Sequence, residues 1–255
     1  MPTQYSILPP SQTAILNDLK PFASLGFALY GGTAIALQLG HRESIDFDFF
    51  TSNAIDRNAL QQAAPTLKNA VILQDEIDTW TIQAFPLGQS ERPVKISFFG
   101  NLNFGRVGTP RFTDKNELLL ASLDDLLGHK LKVLLQRVEL KDYQDIAALI
   151  RAGCRLERGL GAALSLFPNM FPPAEAMRAL TYFQGGDLNL LSKNEKATIT
   201  TAVSLTGAIE AMPIIAHHLT SRENDGPRND DNPADGTPKN VRLQQKKPRS
   251  SGWER

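Results

Sequence analysis

Asp46 and Asp48 stand one residue apart in Arg42-Glu43-Ser44-Ile45-Asp46-Phe47-Asp48, shortly after Gly31-Gly32-Thr33-Ala34. On a strand, residues i and i+2 project to the same face, so both carboxylates can meet one hard cation. Mg²⁺ is the ion such oxygens suit when it arrives with nucleotide phosphates. Two glycines let a backbone come close to a triphosphate and leave N–H groups at a helix start, where the helix dipole favours an anion. Thr33 adds a hydroxyl donor, Arg42 a guanidinium suited to bidentate phosphate pairing, and Ser44 a group that orients the turn. The chemistry these residues suit is in-line displacement at an α-phosphorus, with an NTP as substrate and pyrophosphate leaving. Alone, an Asp-x-Asp pair is more often a solvated strand face. The order strand, Gly-Gly turn, short helix, Asp-x-Asp strand is much more specific.

The elements that must position these residues follow from periodicity. Ile15, Leu19 and Phe22 recur at helical spacing, with Ser11 as a cap, which predicts a helix over 11–20. The short apolar run 27–30 reads as a buried strand, followed by a helix over 33–39 that Gly40 ends. Residues 44–50 alternate as a strand, with Asp46 and Asp48 on one face and Ile45, Phe47 and Phe49 on the other. A helix over 54–64 and strands over 71–74, 79–85 and 94–99 complete a mixed sheet. Downstream the spacing is helical over 124–138, 142–150, 173–183 and 193–211, with Gly185-Gly186-Asp187 as a break.

Composition narrows the class. The 255 residues are 42% hydrophobic and 21% charged, ordinary for a globular chain. With 27 basic and 27 acidic residues, whole-molecule charge gives no reason for indiscriminate binding of nucleic acid or acidic membranes. The single Cys154 forms no internal disulfide, the start of the chain lacks the regions of a signal peptide, and no apolar stretch approaches roughly 20 residues. A cytoplasmic protein with no membrane role is expected. His41 and His129 fall outside zinc-ligand spacing, and neither a Gly-x-Ser-x-Gly elbow nor a Walker-type loop is present. Beyond Ser221 the few apolar residues predict a disordered tail, acidic and then basic, with an RNA-touching arm as the alternative.

The stretch from Gly31 to Asp48 resembles the nucleotidyltransferase superfamily, in particular the AbiEii/AbiGii toxin family, and the likeness continues beyond it. Val94-Lys95-Ile96-Ser97-Phe98-Phe99-Gly100 is similar to that family's second motif. Ser122-Leu123-Asp124-Asp125-Leu126-Leu127-Gly128-His129-Lys130 resembles the third, and Arg137 with Lys141-Asp142-Tyr143-Gln144-Asp145-Ile146 the fourth. The resemblance covers roughly residues 27–150. It implies an α/β nucleotidyltransferase-like mixed sheet with flanking helices over 1–115, a helical C-terminal domain over 116–220 and the tail over 221–255. It also implies transfer of a nucleoside monophosphate from an NTP to an acceptor such as tRNA, by a toxin-like protein paired with an antitoxin. Asp46 and Asp48 would bind Mg²⁺; Gly31, Gly32, Thr33, Arg42, Ser44 and Lys95 would hold the nucleotide; Lys130 and Asp142 would complete the catalytic set.

By residue type alone, Lys130 is a solvated lysine and Asp142 a charge at a helix start. Arg137 and Lys141 make either a basic helix face or a grip on an RNA backbone. One departure from the family is Ser97, where the second motif usually carries a third carboxylate. A hydroxyl binds Mg²⁺ weakly and is no general base near neutral pH. Glu76, Asp78 or another acid could substitute in space, a single metal could suffice, or the chain could bind nucleotides without turning them over. An RNA-binding or protein-interaction module acting through the helical half is the remaining alternative.

Overall fold

The computed structural model describes residues 2–86 and 92–220; the expected disordered tail lies outside the described residues. Helix α1 (Pro10–Leu19) starts on a proline, whose fixed φ suits the first helical position. Ser11 therefore lies inside the helix and Pro9 takes the cap position. Strand β1 (Ala28–Tyr30) runs into helix α2 (Gly31–Leu39), which ends on Gly40 in the left-handed conformation. Strand β2 (Asp46–Phe50) and helix α3 (Arg57–Ala63) follow, the latter capped by Asp56 accepting from the Ala59 N–H at 2.9 Å. Strands β3 (Val71–Glu76), β4 (Thr79–Ala84) and β5 (Val94–Phe99) form a meander.

Two short strands went unpredicted, β6 (Arg111–Phe112) and β7 (Leu119–Leu120). At two residues each they are too brief to carry a period. The seven strands form one mixed sheet in the order β3-β4-β5-β2-β1-β7-β6, with β2 parallel to β5 and antiparallel to β1. Helices α4 (Leu123–Val133), α5 (Leu140–Arg151), α6 (Leu156–Leu166), α7 (Pro173–Thr181) and α8 (Lys193–Leu205) make up the helical region.

Helix α6 was also missed, because Gly159 and Gly161 weaken its pattern. Their reason is tertiary. A Cβ on Gly159 would strike Leu127 of α4, and one on Gly161 would strike the carbonyl of Glu210. The glycines let α6 lie close against its neighbours.

The sheet has two unlike faces. Phe47 and Phe49 of β2, Ile96 and Phe98 of β5 and Trp80 and Ile82 of β4 turn to the core. There Phe22 meets Phe49 and Phe98 edge-on, with ring centroids at 5.1 and 5.3 Å. Ile45 does not join them: it precedes the strand and is 60% exposed, while its carbonyl accepts from Gln12 Nε2 at 2.5 Å. The opposite face carries the alternate residues and supports the site described below. Phe22→Ala should lower unfolding free energy by about 3–5 kcal/mol, the usual cost of emptying a buried aromatic site, as measured by urea unfolding.

Candidate active site

Across the second face, backbone register sets the residues side by side. Asp46 pairs with Lys95, Asp48 with Ser97 and Phe50 with Phe99 between β2 and β5, and Ser97 pairs with Thr81 of β4. Tyr30 of β1 pairs with Asp48 on the other side. These rows floor a cleft of ≈ 790 Å³, walled by one face of α4 and its extension through Leu126, His129, Lys130, Val133 and Arg137. Gly31 and Gly32 open onto the same cleft.

Both glycines are fixed by close approach. Gly31 has φ +69°, and a Cβ there would lie 2.6 Å from Asp48 Oδ2. At Gly32 a Cβ would run into the Arg42 guanidinium. Thr33 is buried and takes no part in the cleft lining; its hydroxyl meets Ser44 Oγ at 2.8 Å and the Asp46 carbonyl. A carbonyl can only accept, so Thr33 donates to Asp46 and receives the Ser44 proton. This relay pins the start of β2 to α2. The expected Thr33 contact with phosphate is therefore replaced by a contact that sets the position of Asp46. Ser44 serves the same relay and also borders the cleft.

Arg42 departs similarly from its expected free fork. Its Nε and Nη2 donate to the two oxygens of Asp145 at 2.7 and 2.9 Å, and Nη1 donates to the Glu43 carbonyl at 2.9 Å. The bidentate partner is thus a protein carboxylate. Asp145, to which sequence pattern alone gives no role, is fully buried and also receives Lys130 Nζ at 2.7 Å and His41 Nε2 at 2.7 Å. Lys130 reaches Asp142 Oδ1 at 2.7 Å as well, and Arg137 Nε reaches Asp142 Oδ2 at 2.9 Å. Lys130 is accordingly a buried lysine shared by two aspartates, not a solvated one.

Burial alone would raise the Asp142 carboxyl, but hydrogen bonds from Arg137 and Lys130 outweigh it and hold it below the usual 3.8. Asp145 is likewise opposed by burial, yet His41, Lys130 and Arg42 hold it far below that value. Asp48 moves the other way. Burial and the neighbouring Asp46 charge raise it, with Lys95, Lys130 and Ser97 in partial opposition. The charged form of Asp48 is thus disfavoured chiefly by its burial and secondarily by its neighbour Asp46.

Ser97 is buried beside Asp48, and neither Glu76 nor Asp78 reaches the cleft. Asp78 accepts from Asn101 Nδ2, and Glu76 accepts from Gln74 Nε2 at 3.1 Å. Glu43 is the further acid that borders the cleft. Among the described residues, no group of three or more His, Cys, Asp or Glu side chains is placed to hold a metal. Two carboxylates nonetheless fit Mg²⁺, which commonly takes one or two protein carboxylates and completes its shell with substrate phosphates and water. Lys95 lies beside Asp46, exposed, and makes no ion pair among the described residues. Lys141 pairs with Glu139 at 2.9 Å on the cleft rim. No helix among the described residues is long and apolar enough to cross a membrane.

Asp145→Asn should leave Arg42, Lys130 and His41 buried around a neutral group and cost about 3–5 kcal/mol of stability at pH 7. Because the Asp142 and Asp145 pKa values are depressed by folding, their stabilisation is complete above the unfolded value of 3.8 and disappears as pH falls through the folded values. Urea midpoints measured from pH 7 to pH 2 should fall steeply below pH 4 in the parent and less steeply in the variant. Asp48→Asn should raise the neutral-pH midpoint, since the raised pKa of Asp48 means its charged form opposes folding.

The chain is 30% identical over 139 residues to an uncharacterized protein of Aquifex aeolicus (strain VF5), across 52% of this chain and 64% of that one. The chain thus spans less than two thirds of that relative's length. Among solved structures, it is similar to an antigenic nucleotidyltransferase-like protein from Paracoccidioides brasiliensis, at 16% identity and TM-score 0.49, covering 80% of this chain and 96% of that one. It is also similar to MenT4, a nucleotidyltransferase toxin from Mycobacterium tuberculosis H37Rv, at 12% identity and TM-score 0.43, covering 77% and 83%. The family described as nucleotidyl transferase AbiEii toxin, type IV TA system, matches residues 14–171, more than half of the sequence, and the chain belongs to that family.

Proposed function

We infer that this protein transfers a nucleoside monophosphate from an NTP to a hydroxyl acceptor, tRNA or another RNA, in a Mg²⁺-dependent reaction. As in its family's description, it would be the toxin of a toxin–antitoxin pair in the cytoplasm. The observation that carries this reading is the convergence of Asp46, Asp48 and the Gly31–Gly32 helix start on one cleft.

Asp46 and Asp48 would hold Mg²⁺ against the triphosphate. When bound, the ion supplies neutralisation of phosphate charge and activation of the attacking hydroxyl. Gly31 and Gly32 admit the phosphates to the start of α2. Lys95 adds a positive charge next to Asp46. Lys130 has three N–H donors and commits two of them, one to Asp142 and one to Asp145, so it can touch a phosphate with the third without leaving its partners. Asp142 acts through Lys130 and Arg137, fixing both at the cleft wall. Acceleration then rests on placement and electrostatics.

A second reading is favoured by one specific observation. Ser97 occupies the place next to Asp48 where the family's third carboxylate is expected, and no described acid replaces it there. Under that reading the chain binds NTPs without turning them over. Incubating the protein with Mg²⁺, cellular RNA and each α-labelled NTP separates the two. Asp46→Asn should fold and lose transfer by several orders of magnitude, whereas transfer by the variant at the parental rate refutes the assignment. Tight NTP binding by the parent without label transfer selects the second reading.

A further inference from the structure

The cleft is graded along its length. Each two-residue step along β2 and β5 advances about 6.6 Å and changes the chemistry of the floor. The Asp46–Lys95 row carries two charged groups, the Asp48–Ser97 row one, and the Phe50–Phe99 row is aromatic. Phe50 and Phe99 keep partial exposure to the cleft on a sheet face that is otherwise polar here. Their rings meet edge-on at 5.1 Å, and Phe50 stacks on Tyr30 at 4.6 Å with an interplanar angle of 10°.

Helix α4 repeats the gradient on the wall. Its His129 ring stands at the aromatic end, while the next residue, Lys130, and, past the helix end, Arg137 meet Asp142. The His129 ring is 5.0 Å from Tyr30 and 5.8 Å from Phe50, and Phe104 and Phe167 close behind it at 4.6 and 5.0 Å. Its Nε2 is enclosed with no hydrogen-bond partner among the described residues. Burial pushes the imidazole down to about 3, so His129 stays neutral and serves as one more flat ring.

An NTP is graded in the same sense. Its β- and γ-phosphates carry the charge, its α-phosphorus is the reacting centre, and its base is a flat π system beyond the ribose. With the α-phosphate at Asp46 and Asp48, Lys95 beside Asp46 is the cation that meets the leaving phosphates. The aromatic row lies one strand step beyond Asp48, in the direction the ribose must take. We propose that Phe50 and Phe99, backed by Tyr30 and His129, form a stacking site for the nucleobase of the NTP. This rests on the NTP-dependent reading above and adds the direction in which the nucleotide lies.

The test compares calorimetric binding of each of the four NTPs with that of inorganic tripolyphosphate, both with Mg²⁺, to the parent, Phe99→Leu and Phe50→Leu. Leucine preserves apolar bulk and removes the π face. Base stacking on an aromatic is worth enough that its loss should weaken NTP binding about 5- to 150-fold, with tripolyphosphate binding unchanged. Equal weakening of NTP and tripolyphosphate would overturn the stacking site, as would unchanged NTP affinity in both variants. Unchanged NTP affinity with a raised KM for RNA would place the acceptor's base there and equally overturn it. A parent that binds no NTP would overturn the transferase reading together with this one.

Discussion

The arrangement of the cleft depends on one carboxylate. Asp145 sits fully buried on α5 and gathers Arg42 and His41 from the segment before β2 and Lys130 from α4. Desolvating so many charged groups is costly, and the cost is met only when each finds its partner in good geometry. That requirement locks three separate chain segments into one relative placement. The segment before β2 is thereby fixed at both ends, by the Arg42 fork and by the Thr33–Ser44–Asp46 relay. Asp46 and Asp48 inherit their positions from these contacts.

The division of labour between the two sheet faces follows from strand alternation. On β2 and β5 the core face is uninterruptedly apolar, which specifies register strongly, because a slip by one residue would bury Asp46, Asp48 and Lys95 against Phe22. The aromatic packing therefore fixes which residues meet across the cleft floor. The pairing of Asp48 with Ser97 is a consequence of that packing.

Much of this was legible in the sequence. The Gly31-Gly32 turn and the Asp-x-Asp strand stand where periodicity placed them within a residue or two, and the second half is helical as expected, although the helices predicted over 124–138 and 193–211 end earlier, at Val133 and Leu205. What escaped depended on partners distant along the chain. Arg42 looks like a phosphate ligand until Asp145, 103 residues away, is seen to fill its fork. Thr33 looks like a donor to substrate until Ser44 and Asp46 are seen to use it. Helix α6 was hidden by glycines whose purpose lies on Leu127 and Glu210. The one available signal for Asp145 was its place three residues after Asp142 on a helical pattern, which puts both acids on one face.

Strand β3 leaves one edge of the sheet open. Among the described residues it pairs on one side only, and all six of its residues are exposed, including Val71, Ile72 and Leu73. An open ladder edged with apolar side chains is a template for runaway strand addition. Here the register is broken between Ile72 and Gln74, and the strand closes on Asp75 and Glu76, with Arg57 drawn across to Asp75 at 2.6 Å. Irregular spacing and a charged strand end make this edge a poorer template for a second β3 than a regular apolar ladder would be.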